Sequence, residues 1–360
     1  MALVCDPMAA AAPTDRPSAV SMRFTQDQSC LAVATATGFS VWNTAPFALR
    51  YRRDLGGGIA LASALFRTNL IALVGGGPTP RFPPDRVMLW DDYRGDTIAE
   101  LRFNSHVRGV EIVRNAIAVA LDDRVYVYDL STLDNTLRVP TASNPRGLVE
   151  IRATDGGSVL ATLSTKVGTI EIHRPGQTRP VVFRAHEMPI ARMALNADAS
   201  LLATVSEKGT VVRVWDTAMG DLRGELRRGK DPASANGLSF SADSKWLCLS
   251  TDRGTVHVFD IDAPAPESPS TLLQYIGSSG MLGAGLSQYT MARFSTAQIH
   301  GVSPRCICAF GPTPDQTVVA DADGVFSVYD ASKPGEARVL KRFLFGAATD
   351  SGGGDNDRHM

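Results

Sequence analysis

The 360-residue sequence predicts an all-β fold on three observations. Apolar and polar residues alternate with a period of two, helical spacing is almost absent, and one short signature recurs along the chain. Leu31-Ala-Val-Ala-Thr-Ala, Arg124-Val-Tyr-Val-Tyr and Thr255-Val-His-Val-Phe read as short strands, because a pleated chain sends successive side chains to opposite faces. The signature is a pair of apolar positions closed by an aromatic residue and Asp or Asn. It occurs at Val41-Trp42-Asn43, Leu89-Trp90-Asp91, Val127-Tyr128-Asp129, Val214-Trp215-Asp216, Val258-Phe259-Asp260 and Val328-Tyr329-Asp330. Ile170-Glu-Ile-His173 is a degenerate seventh copy. The aromatic or His positions lie 48, 38, 45, 42, 44 and 70 residues apart. A period of about 40–45 residues closed by Trp-Asp marks four-stranded propeller blades. Seven copies therefore predict a seven-bladed WD40-like β-propeller, a single unit over residues 18–346.

The elements follow in chain order. Residues 1–17 and 347–360, rich in Ala or Gly, read as disordered tails. A strand at Ala19–Phe24 precedes the first copy and is expected to complete the last blade and so close the ring. The step of 48 carries Gly75-Gly-Gly-Pro-Thr-Pro-Arg-Phe-Pro-Pro84, which cannot be regular strand throughout. The step of 70 implies a long loop in blade six, at about 262–300. Its Ser268–Ala292 stretch has no Asp, Glu, Lys, Arg or His, yet holds Leu272, Leu273, Tyr275, Ile276, Met281 and Leu282. Disordered loops are normally rich in charge, and this one is not.

Composition excludes several classes. Thirty-six Lys+Arg stand against 37 Asp+Glu, so the basic excess of a dedicated nucleic-acid binder is missing. Apolar runs are too short for a transmembrane helix. The first residues lack a basic n-region, so a signal peptide is not expected. Five cysteines without Cys-x-x-Cys pairing read as reduced cytosolic thiols. Cys306 and Cys308 share a strand face and read as core residues rather than metal ligands. No P-loop, dinucleotide fingerprint, Gly-x-Ser-x-Gly or His-Glu-x-x-His occurs. Neither an enzyme nor a cofactor is expected.

The charge that stands out follows the fifth signature, in Leu226-Arg227-Arg228-Gly229-Lys230-Asp231. Neighbouring side chains on a strand point to opposite faces, so Arg227 and Arg228 are placed to serve two sites. Ser206-Glu-Lys208-Gly-Thr210-Val-Val-Arg213 and Ser250-Thr251-Asp-Arg253-Gly-Thr255-Val-His257 each offer hydroxyls, cations and a Gly turn. Those groups hold phosphate oxygens. The plain alternative is an ion-paired surface, with Glu225 and Asp231 as partners.

Leu226-Arg-Arg-Gly229 resembles the (Phe/Leu)-Arg-Arg-Gly motif of the PROPPINs, propellers that bind polyphosphoinositides. The likeness runs from about Ser21 to Phe345 and includes Leu73-Val-Gly-Gly-Gly77, Val87-Met-Leu-Trp-Asp-Asp92 and Cys306-Ile-Cys-Ala-Phe310. The Gly-Gly-Gly…Pro-Pro…Trp-Asp-Asp stretch from Gly75 to Asp92 looks most like the branch holding the WIPI-3 and WIPI-4 types and the homologous-with-swollen-vacuole protein. The resemblance implies a first lipid pocket of His186, Lys208, Thr210, Arg213 and Arg227. It implies a second of Arg228, Ser250, Thr251, Arg253, Thr255 and His257. Lys230 and Arg192 are further cations with no assigned family position. Implied ligands are phosphatidylinositol 3-phosphate and 3,5-bisphosphate, with the blade-six loop dipping into the bilayer. Implied too are a monomer in solution, and a cytoplasmic protein peripheral on preautophagosomal, endosomal or vacuolar membranes. An autophagy lipid-transfer protein would dock around blades two and three, with Asp27 of Thr25-Gln26-Asp27 in the contact and Gly76–Pro84 beside it. The alternative is a WD40-type scaffold that binds only proteins.

Overall fold

The computed structural model describes residues 19–263 and 292–345. Thirty strands, β1 to β30 in chain order, form seven sheets, and no helix occurs among the described residues. The first sheet is a meander of β1 (Ser21–Phe24), β2 (Cys30–Ala34), β3 (Gly38–Thr44) and β4 (Phe47–Asp54). The other six repeat this four-strand order from the channel outward, and the sheets of blades five and six each add a short fifth strand at the outer edge.

All seven signatures fall on the third strand of a blade. These are β3, β7 (Arg86–Asp91), β11 (Arg124–Asp129), β15 (Thr169–His173), β19 (Val211–Asp216), β23 (Thr255–Asp260) and β28 (Val325–Asp330). The closing Asp serves the turn that follows. Asp91 Oδ1 accepts from the Tyr93 amide at 2.9 Å and Asp216 Oδ1 from the Ala218 amide at 2.8 Å. In blades one, two, three, five and seven the register shifts immediately before the aromatic residue. A bulge there raises the local twist and splays the outer strand.

Alternation buries both faces of each sheet. On β2, Cys30, Ala32 and Ala34 pack towards blade two, while Leu31 and Val33 pack towards blade seven. Seven apolar clusters fill the seven blade interfaces. Cys306 and Cys308 lie buried in the one between blades six and seven, with Cys248.

The ring closes differently from expectation. β1 is the innermost strand of the first blade, in register with β2 from Ser21↔Ala34 to Phe24↔Leu31, and adds nothing to the last sheet. Blade seven is complete without it, from β26 (Cys306–Phe310), β27 (Gln316–Asp321), β28 and β30 (Arg338–Leu344). The reason is that the C-terminal chain supplies its own fourth strand. Closure is made mainly by side chains, with one long backbone bond from the Ala19 amide to the Ala322 carbonyl at 3.4 Å: Phe47 stacks on Phe326 at 4.1 Å and on Trp42 at 5.3 Å. Arg305 also donates to the Ala19 carbonyl at 3.1 Å.

Antiparallel meanders put successive turns at opposite ends. Turns joining second to third strands, and the links between blades, therefore share one face of the ring. Turns joining first to second and third to fourth strands share the other.

Candidate functional site at the rim of blades five and six

β20 (Leu222–Arg227) is the fourth strand of blade five. Alternation sends Leu226 into the core between blades five and six, where it is fully buried. Arg227 ends the strand opposite Val211. The next residue turns away: the Arg228 amide donates to the Thr210 carbonyl at 3.0 Å and its Nε to the Gly209 carbonyl at 3.0 Å. Its Nη2 donates to the Asp231 carbonyl. Gly209 is required here. Its φ is +65°, and a Cβ would lie 1.8 Å from the Ala233 carbonyl oxygen. That close approach presses the Lys208–Thr210 turn against the link to blade six.

The first predicted group assembles around blade five, with qualifications. Lys208 is exposed on the turn and Thr210 is buried beneath it. Arg213 is neutralised by Glu225 directly across the ladder, Nε to Oε1 at 2.6 Å, and its Nη1 donates to the Ala185 carbonyl at 2.7 Å. His186 is buried, with Nε2 3.0 Å from Thr204 Oγ1, which accepts from the Trp215 indole at 2.9 Å. The Thr204 hydroxyl also reaches the Arg213 carbonyl at 3.5 Å, so it links the imidazole, the indole and the next strand. Burial, then the Arg213 cation, push His186 down to about 4. His186 thus ties blade five together and carries no charge at neutral pH.

The second group gathers across the junction with blade six. Arg228 and Arg253 lie within electrostatic range of each other, and burial lowers the Arg228 pKa. His257 is pushed down to about 4 by burial, then by Arg228 and His300. Thr255 Oγ1 sits 3.4 Å from His257 Nε2 and 2.9 Å from Thr251 Oγ1. Arg253 reaches the Pro232 carbonyl at 3.3 Å. Ser250 and Thr251 are 0 % exposed. The Ser250 hydroxyl donates to the Cys306 carbonyl at 3.0 Å, inside the interface with blade seven, so it faces away from this group.

Other calls fall elsewhere. Arg192, on β17 (Ile190–Leu195), the innermost strand of blade five, lines the central channel. Lys230 is exposed beside Arg228. Leu272, Leu273, Tyr275, Ile276, Met281 and Leu282 lie outside the described residues. Asp27 is exposed in the β1–β2 turn, its Oδ1 accepting from Thr25 Oγ1 at 2.7 Å and the Ser29 amide at 3.2 Å. Neighbouring Gln26 donates across the channel to the Ile151 carbonyl at 2.8 Å. That turn lies on the opposite face from Gly76–Pro84, which follows a second strand and packs on the blade one–two link through the Gly58↔Pro80 bridge. The two segments are therefore not neighbours, correcting the sequence expectation.

Sequence reasoning missed one element. β24 (Ala292–Phe294), where the blade-six insertion returns, pairs in parallel with β20 and places Phe294 opposite Arg227. Arg293 Nη1 donates to the Ile261 carbonyl, joining the two described ends of the insertion. The insertion thus returns on the strand that carries the double Arg. Nothing in local alternation announces a three-residue parallel pairing across 67 positions (Leu226↔Arg293).

These features define a seven-bladed ring with hydroxyls and guanidiniums on one rim. The family model described as PROPPIN matches residues 19–341, and the chain belongs to that family. It is 34 % identical to SVP1-like protein 2 of Pichia angusta over 265 residues, 71 % of this chain and 73 % of that protein. It is 31 % identical to autophagy-related protein 18e of Arabidopsis thaliana over 342 residues, 92 % and 89 % of the two chains. Among solved structures it resembles Kluyveromyces lactis Hsv2 with complete loop 6CD, with TM-score 0.73 and 21 % identity, covering 92 % of this chain and 99 % of that one. It also resembles KlAtg21 in its complex with the coiled coil of AgAtg16, with TM-score 0.69 and 23 % identity, covering 90 % and 98 %. The chain is thus an autophagy-related propeller of a family whose general property is phosphoinositide binding. Among the described residues no helix is long and apolar enough to cross a membrane.

Proposed function

We propose that the rim of blades five and six binds the headgroups of phosphatidylinositol 3-phosphate or 3,5-bisphosphate and recruits the protein to membranes bearing them. The carrying observation is the divergence of Arg227 and Arg228. The first ends β20 in blade five, and the second is turned towards Arg253 and His257 of blade six. Lys208, Thr210, Arg213 and His186 would complete one pocket. Thr251, Arg253, Thr255 and His257 would complete the other, while Ser250, turned to the Cys306 carbonyl of blade seven, would not line it. Guanidinium forks and hydroxyls suit phosphate oxygens.

Two modest sites on one surface act by avidity, which can exceed single-site affinity by roughly 10²–10⁴-fold. The apolar stretch Ser268–Ala292 would add about 0.8 kcal/mol for each CH₂ it buries in the bilayer. The protein would then act as a non-catalytic adaptor, held on preautophagosomal, endosomal or vacuolar membranes where the lipid is dense. The KlAtg21–AgAtg16 complex favours a coiled-coil autophagy protein among its partners. A lipid-transfer protein docking near Asp27 is the further partner proposed.

Liposome flotation across the phosphoinositide series tests this reading. Wild type should float with 3-phosphorylated lipids, while Arg227→Thr with Arg228→Thr should stay in solution with an unchanged melting temperature. A protein that captures partners but ignores every inositide would be a scaffold only, and the proposal would fall.

A further inference from the structure

The innermost strands enclose a central channel holding a cavity of about 480 Å³, room for roughly 16 waters at ~30 Å³ each. It is lined by five guanidiniums, of Arg23, Arg108, Arg146, Arg152 and Arg192, and by the carboxylates of Asp27, Glu111 and Glu150. Four of the five are paired. Arg23 meets Glu111 at 2.5 Å, Arg108 meets Asp122 at 2.9 Å, Arg146 meets Glu207 at 3.2 Å and Arg152 meets Glu150 at 3.4 Å. Arg192 differs. Its Nε donates to the Asn236 carbonyl at 2.8 Å and its Nη1 to the Ala191 carbonyl at 3.4 Å. No carboxylate forms a salt bridge with it among the described residues. Burial, and then the Arg146 and Arg23 cations, pull its pKa down to about 10.

A buried charge is normally paired. Carbonyl oxygens bind the Arg192 N–H groups but carry no net charge, and the lining acid left over, Asp27, is turned to Thr25 Oγ1 and the Ser29 amide, so Arg192 alone of the five guanidiniums has no carboxylate against it. From Arg192, Arg146 and Arg23 we infer that the channel is a second anion site, separate from the rim. Its ligand would be a small, multiply charged phosphate such as pyrophosphate, held by the guanidinium fork of Arg192. The shape argues for phosphate: the planar fork matches two of its oxygens. The same chemistry could come from a free phosphate or from a lipid headgroup. The enclosed wall of first strands favours the free anion, because a bilayer meets the outside of the ring.

The test is calorimetric titration of the full chain with pyrophosphate at constant ionic strength. Wild type should bind one equivalent. Arg192→Met should weaken binding at least tenfold, the loss of a charge-assisted contact, while Arg227→Thr with Arg228→Thr should leave it unchanged. At pH 8.5, where the Glu150 carboxyl is ionised, Glu150→Gln removes a charge from beside Arg152, should tighten binding severalfold and serves if the Arg192 variant does not fold. Arg192→Met should still float with phosphatidylinositol 3-phosphate liposomes. The inference fails if wild type binds no pyrophosphate. It fails equally if the rim pair alone abolishes binding, if Glu150→Gln has no effect, or if folded Arg192→Met loses flotation instead.

Discussion

The family resemblance places His186 and His257 in the two pockets, and in the fold both are buried imidazoles that are uncharged at neutral pH. Each is held near 4 by burial, against 6.5 when unfolded. The unfolded chain therefore takes up protons below 6.5 while the folded one does not until about 4. Stability falls as pH drops through that window, by roughly 3 kcal/mol for each imidazole. Buried Glu150 acts in the opposite sense. Burial, despite Arg152, holds its carboxyl up at about 7, so its contribution grows as pH falls from 7 towards 4.5. Two imidazoles outweigh one carboxyl, so the melting temperature should drop between pH 6.5 and 4. His257→Gln should flatten that slope, and an equal slope would show that His257 titrates alike in the folded and unfolded chain. Gly209 supplies a second residue-scale prediction. Gly209→Ala must displace the Ala233 carbonyl and strain a positive φ, at about 1–3 kcal/mol. The melting temperature should fall, and flotation with it, because Lys208 and Arg228 share that turn.

At the scale of elements, β20 is the junction of the site. It carries Leu226 in the core, Arg227 at its end and β24 along its outer edge. Parallel pairing of three residues is too short to persist alone, and the Arg293 bond to Ile261 helps hold it. Arg293→Ala should speed hydrogen exchange of the amides at 224–227 about tenfold, the loss of one charged hydrogen bond. Exchange of β19 should be unaffected. The same arrangement explains how far the site was legible. Arg227 and Arg228 were found from a local motif and strand alternation. The Glu225 counter-ion was visible as an available acid. Its choice of Arg213 over the double Arg depends on ladder register, which sequence spacing does not specify.

The whole molecule is a ring without a strand shared between its first and last blades. Its seventh interface rests on the aromatic group of Trp42, Phe47, Phe326, Phe343 and Phe345. Phe326 is fully buried there. Phe326→Ala should cost about 3–5 kcal/mol and lower the melting temperature while keeping one cooperative transition. Two resolved transitions would show that blades one and seven part independently. Near-neutral net charge also has its explanation at this scale. From His186 to His257 the chain holds nine Lys+Arg and nine Asp+Glu, and folding sorts them. Glu225 and Asp216 neutralise Arg213 and Arg223, while Arg228 and Arg253 turn to backbone carbonyls.

The sequence by itself determined the all-β class, the seven blades, the long sixth-blade insertion and the Arg pair. All are written in local periodicity, which the pleat converts directly into faces and turns. Tertiary structure alone decided the packed closure of the ring, the return of the insertion onto β20 and the opposite faces of Asp27 and Gly76–Pro84. It also decided the convergence of five guanidiniums on the channel. Each of these joins residues far apart in the chain, and such pairings are chosen by which surfaces meet when the ring closes, a choice no single segment encodes.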